Sequence, residues 1–202
     1  MPATVPRRLW RAGMFASVTL GTLLPGAFAS AGLAHEFNTV LIVPAGDEAQ
    51  ETRDAMQRAF LIASRERDGH PDETSEGHLG GLDVQLTLIG QDRPDLVAAA
   101  DPDFVVAPLS ARDEGTLAAI GAGLDAVIIS RTEIEATPMP GMLEADADVG
   151  FDSFEARFRA ETGNAPNDEA IAAYLAARWI ERVVRPLGAV DDRDALRQAL
   201  GR

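Results

Sequence analysis

Residues 39–43, Thr-Val-Leu-Ile-Val, form an unbroken β-branched and apolar run, the pattern of a strand buried on both faces of a parallel sheet. The run stops at Pro44-Ala45-Gly46. Beyond it Ala49, Thr52, Met56, Ala59, Phe60 and Ala63 recur at three- and four-residue spacing, which predicts an amphipathic helix capped by Asp47. Residues 69–81 are polar and Gly-rich and predict a loop. Residues 84–89 then give a second strand ending in Gly90-Gln91-Asp92, and Pro94 opens a very short helix through Ala100. A third strand over 104–107 ends at Pro108-Leu109-Ser110, with a helix expected from about Ala111 to Gly121. A fourth strand over 126–129 ends at Ser130-Arg131-Thr132. Four strands separated by helical segments predict an α/β fold with a right-handed, parallel, doubly wound sheet.

The pattern changes near Glu135. Pro138, Pro140 and Gly141 interrupt any regular element, so residues 136–150 are expected to be a linker or hinge. After it Phe151, Phe154 and Phe158 share one helical face, and Gly163 stands where a helix C-terminus favours it. A second helix, from about Asn167 to Val184, presents Ile171, Tyr174, Leu175 and Trp179 on one side before Pro186-Leu187-Gly188. Asp191 or Asp192 can cap a last helix bearing Ala195, Leu196, Ala199 and Leu200. The aromatic stripe is expected to pack on the sheet, so residues 151–202 form a C-terminal helical segment on an α/β lobe at 35–135.

The first 34 residues follow a different logic. Arg7, Arg8 and Arg11 precede an apolar run over 12–29 that Gly and Pro break, with small residues closing it. That is the composition of an export signal, too short and too interrupted for a stable membrane span. The pairs Ala27/Ala29, Ala29/Ala31 and Gly32/Ala34 offer cleavage sites, so the mature chain is expected to begin between Ser30 and His35, in a bacterial periplasm. Arg7-Arg8 hints at a twin-arginine route, but Leu9-Trp10 lacks the rest of that pattern. Export argues against cytosolic ATP-, NAD- or DNA-dependent roles. What remains, roughly 170 residues, suits one domain with a sizeable core.

Losing the three leader arginines takes the net charge from −14 to −17. Such a surface repels nucleic acid and anionic lipid. It would favour cationic partners, although solubility of an exported protein is the simpler reading. All 18 basic residues are Arg, and there is no Cys, which excludes disulfides, thiolate nucleophiles and Cys metal sites. His70, Asp72, Glu73, Glu76 and His78 crowd one loop, yet their spacing fits no compact zinc motif and reads as a flexible acidic loop with two exposed His. His35, as a mature N-terminus, could chelate copper, but nothing else assembles an oxidase site; no metal or cofactor is expected. No G-x-S-x-G elbow, P-loop or G-x-G-x-x-G follows a strand, and no His falls at a strand end, so an enzyme is not expected.

In a doubly wound sheet, ligands bind beyond the carboxyl ends of the strands, where helix N-termini present free N–H groups. Here those positions are Ala45 and Gly46 after the first strand, Asp92 after the second, Leu109, Ser110 and Ala111 after the third, and Ser130 and Thr132 after the fourth. Small residues let a ligand approach the backbone, and the hydroxyls can bond a carboxylate, amide or alcohol. The same hydroxyls can instead cap a helix, as Ser110, or shape a turn, as Ser130 and Thr132.

Residues 104–130, FVVAPLSARDEGTLAAIGAGLDAVIIS, resemble the stretch in type I periplasmic solute-binding proteins of the branched-chain amino-acid class in which a Gly-Pro-x-x-Ser loop and helix precede a strand ending in Ser. The tail is similar too: Phe154-Glu-Ala-Arg-Phe158, Thr162-Gly163-Asn-Ala-Pro166 and Ala172-Ala173-Tyr174-Leu175-Ala176 follow the family's F-x-x-x-[FY]…G…P…A-Y-x-A order. The resemblance implies one lobe of the type I binding-protein fold. It also implies that Ser110 meets a ligand carboxylate or equivalent group, while Ser130 and Thr132 meet the ligand's polar end. Three departures stand out. The chain has Ala107 where the family has Gly, its run from Asp92 to Asp101 is short, and the family's second α/β lobe is missing between Ser130 and the tail. Ala173-Tyr174-Leu175-Ala176-Ala177-Arg178 further resembles a subgroup associated with pyrroloquinoline-quinone (PQQ)-dependent alcohol oxidation. The expected function is therefore the periplasmic substrate-binding component of an ABC transporter, handing a small polar solute to an inner-membrane permease. The rival is a single-lobe accessory protein of a periplasmic dehydrogenase.

Overall fold

The computed structural model describes residues 36–66, 77–109, 114–121, 123–147, 150 and 152–201. β1 (Glu36–Val43) is flanked on both sides, by β3 (Leu82–Gly90) and β4 (Phe104–Ala107), all three parallel. β5 (Val127–Ser130) pairs parallel with β4. The register sets Val43 against Gly90 and Ala107 against Ser130, so the strands end at one rim. β1 from Thr39 onward and all of β4 are buried, as their unbroken apolar runs require. Phe37 and Phe104 meet edge to face, ring centroids 5.5 Å apart.

The four expected strands are all present and parallel, and a fifth, short strand makes the sheet mixed, in the order β2-β3-β1-β4-β5. β2 (His78–Leu79) lies inside the segment expected to be loop and pairs antiparallel with β3. The cause is local. Leu79 pairs with Leu82 across Gly80-Gly81, both at positive φ, the two-residue turn whose twist suits a hairpin. An added Cβ at residue 80 would also lie 2.6 Å from the backbone nitrogen of Arg185.

Right-handed crossovers place the β1-to-β3 helix on one face of the sheet and the later connections on the other. α1 (Gln50–Ser64) packs against α5 (Asp168–Leu187) on the first face. α2 (Glu114–Gly121) meets the 3-10 turn Pro94–Leu96 on the second; a further turn, Ala98–Ala100, completes the short helical connection expected there. Asp47 does not cap α1 but opens a 3-10 turn, Asp47–Ala49, that leads into it. α5 is buried on nearly every side. Tyr174 and Trp179 are enclosed as expected, whereas Ile171 and Leu175 are half-buried, because Ala170, Ala172, Ala173, Ala176 and Ala177 take the closest positions. α5 runs past Val184 to Leu187 and ends at Gly188 in the left-handed conformation.

Residues 131–136, for which no helix is expected from the sequence, form helix α3 (Arg131–Ala136). Ser130 and Glu133 cap it reciprocally, which a Ser-x-x-Glu spacing permits. Residues 137–153 then lead to α4 (Phe154–Thr162), whose buried face is Phe154 and Phe158, with Gly163 as its left-handed cap; Phe151 lies outside the described residues. α6 (Arg193–Ala199) is capped by Asp192 and buries Leu196. Phe154, Phe158, Tyr174 and Leu196 belong to the same hydrophobic core as the strands. The expected export signal lies outside the described residues. Among those described, no helix is long and apolar enough to cross a membrane.

Candidate functional site

Pro44, Ala45 and Gly46 carry the chain from the end of β1 to α1, and Gly46 takes a φ of 89° that L side chains rarely adopt. Arg53, one turn into α1, reaches back to hold this loop. Its guanidinium donates to the carbonyl oxygens of Pro44 (3.1 Å) and Gly46, and to Oε1 of Gln50 (2.6 Å). Gln50 in turn donates to Oδ1 of Asp54 at 2.6 Å. Because β3 ends beside β1, its terminal Gly90-Gln91-Asp92 faces the same loop. The result is an open cleft of about 370 Å³ whose lining includes Ala45, Gly46, Gln57, Leu88 and Asp92.

Two carboxylates fold back onto glycines of this cleft by the same device. Glu48 folds back onto Gly46 and Asp92 onto Gly90, each so close that an added Cβ on the glycine would lie 2.5 Å from the nearest carboxylate oxygen. Both pairs are Gly-x-acid at a strand end, a spacing visible in the chain.

Of the residues expected at the rim, the structure gathers Ala45, Gly46 and Asp92 around one cleft. Leu109 is buried at the end of β4 and lies elsewhere. Ser130 Oγ is engaged with Glu133, donating to its Oε2 at 2.8 Å and accepting from its backbone N–H at 3.3 Å. Thr132 sits in the first turn of α3, also away from the cleft. Ser110 and Ala111 lie outside the described residues. Sequence reasoning missed Gln50, Arg53 and Gln57, which recur at three- and four-residue spacing along α1. It also missed Arg131, which donates to the carbonyl oxygens of Pro108 (3.4 Å) and Asp168 (3.2 Å) and so ties the β4 end to the start of α5.

A larger groove, about 870 Å³, runs between α1 and the α4 end, over Leu61 and Phe158 and past the Arg58–Glu161 ion pair at 3.4 Å. Beneath α4 lies a buried charge cluster. Glu66 ion-pairs with Arg157 and Arg178 and accepts from the Tyr174 hydroxyl at 2.6 Å, while Arg178 also pairs with Glu181 at 2.9 Å. Burial pushes the Arg178 guanidinium below its ordinary pKa, with Glu181 opposing and Arg185 adding like-charge repulsion. None of these residues lines the strand-end cleft.

His78, expected to be an exposed loop residue, instead stands in β2, 2.6 Å from Asp83 and with 10% of its side chain exposed. The other acidic and His residues of that segment, and His35, lie outside the described residues. Among the described residues no group of three His, Asp or Glu is placed to hold a metal ion.

No protein-family model matches the chain, and no curated protein matches it. Among solved structures, it is similar to a branched-chain amino acid ABC transporter periplasmic ligand-binding protein from Burkholderia xenovorans LB400, at 14% identity and a TM-score of 0.27. That likeness covers 80% of this chain and 45% of the other, so the chain spans less than half the length of the protein it matches.

Proposed function

We propose that this chain is an exported solute-binding protein of a single α/β lobe, the substrate-binding component of an ABC-type transporter, holding a small polar solute such as an amino acid, amide or organic acid. The observation that carries the reading is the cleft of about 370 Å³ where Ala45, Gly46 and Asp92 converge at the carboxyl ends of two adjacent parallel strands. Ligands of doubly wound sheets bind at that rim because the loops there are free to vary while the strands hold them in place. The cleft is large enough for a small solute and too shallow to enclose one. The reading invokes no catalytic group.

Thermal melts of the mature protein with amino acids, amides, short alcohols and organic acids test it. A solute at 100 times its dissociation constant stabilises the fold by about 2.7 kcal/mol. A panel in which nothing raises Tm overturns the proposal.

One observation favours a second reading. Residues 137–153 join α3 to α4 without room for a second α/β lobe, and the cleft stays open on one side. An accessory module that docks a protein there, such as a dehydrogenase of a PQQ-dependent alcohol oxidation system, predicts complex formation with that enzyme and no solute response.

A further inference from the structure

The hydrogen-bonding balance of the cleft restricts what it can hold. Among the described lining residues Arg53 is the only cation, and its guanidinium already serves Pro44, Gly46 and Gln50. Arg93, next to Asp92, turns away into a two-point pair with Asp95, at 3.1 and 3.0 Å. Of the remaining polar side chains in the lining, Gln57 can both donate and accept, while Asp54 and Asp92 only accept. Among the described residues Asp92 makes no hydrogen bond or ion pair, and Asp54 takes one donor, from Gln50.

A helix N-terminus would argue the other way, since its macrodipole is equivalent to roughly half a positive charge and attracts anions. Here Asp47, Glu48 and Glu51 crowd the start of α1, and three full negative charges outweigh that half charge. A carboxylate entering the cleft would meet repulsion with no free cation among the described lining residues to offset it. An ammonium or other strong donor would find the carboxylates of Asp92 and Asp54 in the lining, in the negative field of a chain of net charge −14.

We infer that the solute of the strand-end cleft is a small amine, anchored by a charge-assisted hydrogen bond from its ammonium group to the Asp92 carboxylate. This rests on the cleft being the solute site proposed above. It narrows that proposal from polar solutes in general to donors.

Melts and calorimetric titrations at low salt would compare ethanolamine, putrescine and glycinamide with acetate, succinate and lactate, and with neutral acetamide and glycerol. Amines should raise Tm and the acids should not. Asp92→Asn, an exposed change that breaks no described bond, should leave the unliganded Tm unchanged and weaken amine binding about tenfold or more, as the loss of a hydrogen bond to a charged group does. Asp191→Asn, an exposed acid in another part of the fold, should leave it unchanged. Binding of the acids or neutral solutes alone would overturn the amine assignment and leave solute binding standing. Amine binding indifferent to Asp92→Asn would overturn the anchor, and no binding by any compound would overturn both proposals.

Discussion

Glu66 and Arg178 form an ion pair inside the protein, with 1% and 6% of their side chains exposed. The carboxylate joins the end of α1 to α5 through one oxygen, and Arg157 brings α4 to the other. Tyr174, stacked on Phe154 with ring centroids 4.0 Å apart, donates its hydroxyl to Glu66. Neutralising Glu66 would take the carboxylate from the Arg157 and Arg178 guanidiniums, leaving Glu181 as the carboxylate paired with Arg178. Breaking a buried pair from one side costs about 3–5 kcal/mol, so Glu66→Gln should lower Tm by more than about 6 °C. Melts of the two proteins check this, and an unchanged Tm would show that the cluster contributes nothing to folding.

Thr39 presents the opposite case. Its hydroxyl is fully buried in β1 and has no hydrogen-bond partner among the described residues. The residue lies opposite Leu86 on one side and Phe104 on the other, where a methyl would be at home. Thr39→Val replaces an unpaired polar group by an apolar one of the same shape, and should stabilise by about 1 kcal/mol. Denaturant unfolding should show a higher midpoint with an unchanged slope. A loss of stability would mean that the hydroxyl has a partner, such as a buried water.

Ser130 separates two roles that a serine at a strand end can play. Its hydroxyl is committed to the α3 capping box. Removing an N-cap side chain costs about 1 kcal/mol, so Ser130→Ala should lower Tm by about 2–4 °C while any solute bound at the cleft keeps its affinity. A loss of affinity at constant stability would return Ser130 to the ligand.

These contrasts show which features the chain declares. β1 and β4 are continuous apolar runs that suit only the sheet interior, and Gly163, Asn167, Gly188 and Asp192 mark helix ends by conformations or caps that few residues supply. β2 was obscured because two residues of strand inside a polar, Gly-rich segment carry no periodicity, although Gly80-Gly81 is a hairpin turn. α3 was obscured by Pro138 and Pro140, which end the helix but do not prevent it, and the Ser130-x-x-Glu133 signal was present. At the candidate cleft, topology alone brings the strand-end residues Ala45, Gly46 and Asp92 together. Whether Gln57 or Arg53 faces the cleft depends on how α1 rotates onto the sheet, and whether Leu109 is open or sealed depends on what packs over it. Neither is a local property of the chain.

Arg93 and Asp95 are exposed, and their pairing sets a titration next to the proposed anchor. The Arg93 hydrogen bond holds the Asp95 carboxyl below its ordinary 3.8 against an opposing desolvation, and the guanidinium's charge adds to the lowering. A carboxyl whose folded-state pKa is lowered contributes its stability above the unfolded value and loses it as pH falls through the folded one. The pair is therefore intact at neutral pH and released only in acid, below about pH 3.8. Asp95→Asn frees the guanidinium, and the nearest carboxylate whose charge Arg93 feels after Asp95 is Asp92. The variant should thus weaken amine binding at neutral pH by offering Asp92 an internal competitor, while Arg93→Gln should return the Asp95 midpoint towards 3.8 and strengthen amine binding by removing a cation beside the anchor. Carboxyl NMR titration reads the midpoint, and calorimetry with ethanolamine reads the affinity. If the Asp95 midpoint stays put in Arg93→Gln, the pair does not persist in solution, and the guanidinium must be counted among the groups that face the cleft.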